Sequence, residues 1–190
     1  MSRPSLKEQR YQQVMDAYET CVARHGLEGA TLERIADQAC LARPLIRHNV
    51  GNRRDLLQGL MRRFEQRCDE FIRYLKDAEN NTDSTEQFVT ALFQRDCDTA
   101  RLAYALGASA QEDESIDALL KRWGEMLKQF LVVYLKRHYL DASDEAINAV
   151  AVGISAIYSN AQIYRAMNVE GLNERSGRAA IRLVESLARI

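Results

Sequence analysis

Proline occurs only at positions 4 and 44, so residues 45–190 contain none. A proline inside a helix removes a backbone hydrogen bond and clashes with the preceding turn. Turn-rich β folds, conversely, draw heavily on proline and glycine. A proline-free stretch of this length, with only 9 glycines in the chain, predicts long uninterrupted helices. The hydrophobic spacing agrees. Val14, Ala17, Tyr18, Cys21 and Val22 recur at three- and four-residue steps, and the same period returns in every later segment. It predicts helices over 6–25, 32–39, 43–49, 53–77, 85–96, 98–110, 115–139, 143–168 and 173–189, with Gly26 ending the first. Thr31, Asn52, Ser115 and Ser143 are the expected N-caps, and the polar run 78–84 is the expected loop. The expected fold class is all-α: a small N-terminal three-helix head (1–52) and a larger helical body (53–190).

Several function classes drop out. The four cysteines are widely spaced, with no C-x-x-C pair, and the three histidines are equally scattered, so neither a zinc knuckle nor a disulfide framework is expected. The thiols, Cys97 among them, read as reduced, and Asp96 and Asp98 beside it read as a solvated acidic pair. A di-iron bundle would need paired Glu-x-x-His motifs, and Val22, Leu45 and Leu135 stand three residues before the histidines. No G-x-S-x-G or phosphate-loop pattern occurs. No catalytic residue, cofactor or metal is therefore expected. No apolar run looks long enough for a membrane span, and the polar N-terminus has no signal-peptide core. A cytoplasmic protein is expected.

Charge is unevenly placed. The net charge is −1, yet residues 1–64 hold 11 basic and 7 acidic side chains, so the head is basic and the body acidic. Within that basic third, residues 31–57 (TLERIADQACLARPLIRHNVGNRRDLL) form two short helices joined by about three residues. Such a pair makes sense as a helix-turn-helix whose second helix protrudes. Arg43, Arg47, His48 and Asn49 on that helix offer donors and acceptors suited to base edges in a major groove, with Pro44 and Leu45 beside them. Thr31 and the first turn behind it suit a phosphate, and Arg53, with Arg54, could clamp the flank.

At these residues the sequence resembles the TetR family of transcriptional regulators. The family pattern Thr-x-x-x-Ile-Ala, Ala-Gly-Val-Ser, Leu-Tyr-x-(Tyr/His)-Phe and Lys-x-x-Leu is matched in spacing. The matching stretches are Thr31…Ile35-Ala36, Ala39-Cys40-Leu41-Ala42, Ile46-Arg47-His48-Asn49-Val50 and Arg53…Leu56. Cys40 stands for the turn glycine, Ala42 for the N-cap serine, and Arg47 and Asn49 for the usual aromatic positions. The resemblance covers about the first 60 residues. It implies a homodimeric repressor that places one short helix in each half-site of a palindromic double-stranded DNA operator and is released by a small-molecule effector.

For the body, Ile147, Val150, Ile154, Ile157 and Ala161 with Tyr164 form a helix-pair seam, and Leu183, Val184 and Leu187 form a second stripe with Ala180 and Ile190. Either stripe could face its own core. Ala149, Val152, Ala156, Ile163 and Met167 give the first helix a second apolar face, so some part of it needs a partner. The expected dimer interface is built from these two helices. The candidate effector pocket is Phe93, Tyr104, Trp123, Met126, Phe130 and Tyr158, with Asn160 or Gln162 for polarity. The competing reading is a helical dimeric adaptor that binds no DNA.

Overall fold

A computed structural model describes residues 5–94, 99–167, 169 and 171–189. The described elements are α1 (Leu6–Gly29), α2 (Leu32–Ala39), α3 (Arg43–Val50), α4 (Arg53–Asn80), α5 (Thr85–Gln94), α6 (Thr99–Gly107), α7 (Glu114–His138), α8 (Asp144–Ala166), α9 (Leu172–Glu185) and a 3₁₀ turn (Ser186–Arg189). The all-α class is as expected, with no strand among the described residues. Asp96, Cys97, Asp98 and Ile190 lie outside the described residues.

Local chemistry sets the helix ends. Thr31 Oγ1 accepts the Arg34 backbone N–H at 3.3 Å, and Ser143 Oγ accepts that of Ala146 at 3.2 Å. Asn52 Oδ1 accepts from Arg54 and Asp55 while Asp55 reaches back to the Asn52 N–H at 2.8 Å, a reciprocal cap on α4. The start of α7 differs from expectation. Its cap is Asp113, whose Oδ1 accepts the N–H groups of Ser115 (2.9 Å) and Ile116 (3.3 Å). The Ser115 hydroxyl donates to Asp113 instead of capping, and these bonds hold the Asp113 carboxyl below its ordinary range. Gly26 breaks α1 where the sequence placed its stop: its φ of 71° and ψ of 174° are not helical, and a final turn follows to Gly29. α4 runs to Asn80, into the expected loop, because Asn81 and Thr82 side chains bond back to the Asp77 and Ala78 carbonyls.

The chain forms two compact units, Met1–Arg67 with Leu102–Leu120, and Cys68–Arg101 with Lys121–Ile190. They do not part at residue 52 as the sequence suggested. The first half of α4 belongs with the head because it is tied to α1. Arg63 pairs with Asp16 at 2.7 Å and lies 3.6 Å from Glu19, and Arg67 donates to the same Glu19 at 2.8 Å. Close packing adds to this: a Cβ on Gly59 would stand 2.8 Å from Met15 Cε and 2.9 Å from the Tyr11 hydroxyl. Val14, Met15, Val22, Ile35 and Ile46 are fully buried, so α1, α2 and α3 share one small core.

The second unit is built on aromatic and aliphatic packing. Phe88 stacks on Tyr134 at 4.0 Å, Phe71 on Tyr158 at 5.4 Å, and Phe93 meets Tyr158 edge-on at 5.7 Å. α9 lies close on α8, where a Cβ at Gly153 would stand 2.8 Å from Leu183 Cδ1. This packing corrects the expected interface. Ile147, Val150, Ile154 and Ala161 of α8, with Val184 and Leu187, are buried in their own unit's core, and Ile157 and Leu183 pack partly buried against it. The outward face of α8 is the other one: Ala149 and Ala156 are exposed, as are Val152 (53%), Ile163 (38%) and Met167 (67%). By length and composition α8 would also suffice to cross a membrane, over Asp144–Arg165, contrary to the sequence reading. Its inner face is occupied by the unit's own core.

Candidate nucleic-acid interface

α2 and α3 are joined by Cys40-Leu41-Ala42, and the corner turns at Cys40, whose φ of 52° and ψ of 44° are left-handed. Its N–H bonds to the Asp37 carbonyl at 3.1 Å and the Leu41 N–H to that of Ala36 at 3.0 Å, closing α2. Cys40 is the one non-glycine residue at positive φ among those described, and here it takes a conformation that glycine adopts freely. Ala42 then opens α3 without a side-chain cap, and Pro44 sits in the first turn, where its missing N–H costs nothing.

α3 is anchored by Ile46 and Val50, which are buried. The same period turns Arg43, Pro44, Leu45, Arg47 and His48 to solvent. The face of α3 away from these two anchors thus carries two guanidiniums and an imidazole, donors of the kind that major-groove readers use. Thr31 is exposed at the head of α2, where its lone pair caps the helix and its hydroxyl proton is left to donate outward.

Two predicted contact residues are otherwise engaged. Asn49 is half-buried, and its amide Nδ2 donates to the Leu45 carbonyl at 2.7 Å on its own helix. Arg53 donates to the Leu27 carbonyl at 2.9 Å and to Glu28 Oε1 at 2.7 Å, so it closes the end of α1. Phosphate contact by Arg53 would compete with Glu28. Arg54, next to it, is exposed. Arg34 went unnoticed in the sequence; it is exposed and donates to the Gly29 carbonyl at 2.7 Å, adding a cation beside Thr31.

The candidate effector residues do not gather into one pocket. Phe93 and Tyr158 are core fillers in mutual contact. Trp123 and Met126, with Tyr158, line a space of only about 20 Å³. Met126 and Phe130 also floor an open groove of about 520 Å³ with Ile72 and Val133, rimmed by Lys76 and by Arg137, which pairs with Glu79 at 3.0 Å. Tyr104, on α6 in the first unit, is 76% exposed and lines neither of these two spaces, which corrects its assignment to the pocket. Asn160 is exposed and Gln162 buried.

No protein-family model matches the chain. The HTH-type transcriptional regulator BetI of Vibrio vulnificus (strain YJ016) is 27% identical over 195 residues, covering 95% of this chain and 93% of that protein. Among solved structures, a proposed transcriptional regulator from Pseudomonas aeruginosa PAO1 superposes with a TM-score of 0.72 at 18% identity, over 95% of this chain and 90% of the other. A TetR-family transcriptional regulator from Cytophaga hutchinsonii gives 0.68 at 16% identity, over 97% and 98%. The resemblance carried by residues 31–57 thus extends along the chain, which has the all-helical fold of the TetR family of transcriptional regulators.

Proposed function

We propose that the chain is a sequence-specific DNA-binding transcriptional regulator, a homodimeric repressor released by a small-molecule effector. The observation that carries this reading is α3: Ile46 and Val50 hold it down while Arg43, Arg47 and His48 stand open on its far side. Arg47 is the residue expected to read guanine or to grip phosphate, and Arg43 and Thr31 to set the register. The exposed face of α8, Val152, Ala156, Ile163 and Met167 with Ala149, supplies the surface on which a second copy would present a second α3. A palindromic operator follows from that symmetry. A regulator of this kind works in the cytoplasm, with the DNA.

The test is selection of bound duplexes from a random pool with the full chain, followed by gel shifts at two salt concentrations. A palindromic consensus and an affinity that falls steeply with salt are expected. Arg47→Ala should weaken the selected site by about 1–3 kcal/mol and lower the salt slope by about one, with the thermal midpoint unchanged. A pool that yields no consensus would leave the helical adaptor as the reading.

A further inference from the structure

The first unit contains an open cleft of about 920 Å³, inside the ~300–1,000 Å³ range of ordinary ligand sites. Three stretches distant in sequence form it, all within that one unit: the end of α1, the first turns of α4, and the segment that leads into α7. Leu27, Leu57, Met61 and Ile116 give it an apolar lining. Tyr18 adds an aromatic one; its residue is 2% exposed, and its hydroxyl makes no hydrogen bond among the described residues. Tyr18 lines this space together with Arg53 and Glu28, whose charges its phenol feels. The phenol oxygen is not among the fully buried, unpaired polar atoms of the described residues, so it opens on this space, where an occupant can bond it.

The charges on the wall give the occupant's sign. Glu28 is spent on Arg53 at 2.7 Å. Asp113 is spent on the start of α7 and also lies within the field of Arg54. Glu112 and Glu114 remain, exposed on the same wall and with no ion-pair partner among the described residues. The lining thus carries four carboxylates against two guanidiniums, an excess of negative charge beside an aromatic face.

We propose that this cleft is a ligand site in the DNA-binding unit itself, distinct from the aromatic cluster of the second unit, and that it takes a small organic cation: an ammonium on an apolar or aromatic body. The ammonium is held between Glu112 and Glu114, the body lies on Leu57, Met61 and Ile116, and the Tyr18 phenol closes the inner end.

Calorimetric titration of the full chain with benzylamine, benzoate and benzyl alcohol tests it, since the three share one ring and differ in charge. Benzylamine should bind about tenfold more tightly than the other two. The Glu112→Gln, Glu114→Gln double variant keeps size and replaces exposed groups, so it should fold normally by circular dichroism and lose that preference. Met126→Ala, in the second unit, should leave it intact. Absence of benzylamine binding overturns the proposal, as does equal or tighter benzoate binding. So does a preference that survives in the double variant or vanishes in Met126→Ala. None of these readouts depends on whether the chain binds DNA.

Discussion

Tyr18 shows how one side chain can carry both a packing role and a polar liability. Burial pushes its phenol up to about 12, with the Arg53 charge pulling the other way and that of Glu28 adding to the rise. In the unfolded chain the phenol ionises near 10, while in the folded chain it stays neutral to about 12. The stabilisation is therefore whole below pH 10 and disappears as the pH climbs towards 12. Denaturant titrations across that window should show the native chain losing stability faster than Tyr18→Phe; parallel curves would mean that Tyr18 ionises freely. At this scale the sequence announced Tyr18 as one more apolar position on α1. The groups that line one space with it, Glu28, Arg53 and the 109–116 segment, lie too far along the chain for spacing to connect them. Tyr104 shows the converse: an aromatic side chain reads as pocket or core, and nothing in its neighbours says that it stands 76% exposed.

Among the elements, α3 is the least self-sufficient. It has eight residues, an uncapped first turn at Ala42, and a preceding corner in the left-handed region at Cys40. An isolated helix of that length does not persist in water, so Ile46 and Val50 hold it by packing. Ala42→Ser should supply the missing acceptor and raise the head's stability by about 1 kcal/mol in chemical denaturation. If the midpoint stays where it is, the first turn of α3 is already satisfied by solvent. Element boundaries were largely legible, because Thr31, Asn52 and Ser143 cap as their chemistry predicts. Where two residues near one boundary can both cap, as Asp113 and Ser115 do, composition alone does not choose, and the structure chose the carboxylate.

For the molecule as a whole, the two faces of α8 bear on the proposed pairing of copies. Both are apolar, so periodicity revealed two stripes and could not tell which looks inward. Packing against α9 settles it by burying Ile147, Val150 and Ile154 and leaving Val152 out. Val152→Arg should therefore leave the fold within about 0.5 kcal/mol of the parent yet shift sedimentation from dimer to monomer. Ile154→Ala, by contrast, should cost about 2–5 kcal/mol of folding stability. A Val152→Arg chain that still sediments as a dimer would place the interface elsewhere. A last consequence concerns base composition. The carboxamide at position 49, the group best matched to adenine, already gives one N–H to its own helix, which turns it from a bidentate approach. Discrimination in each half of a twofold target then falls to guanidinium and imidazole, and the recovered duplexes should be weighted towards G·C pairs under the centre of each recognition helix.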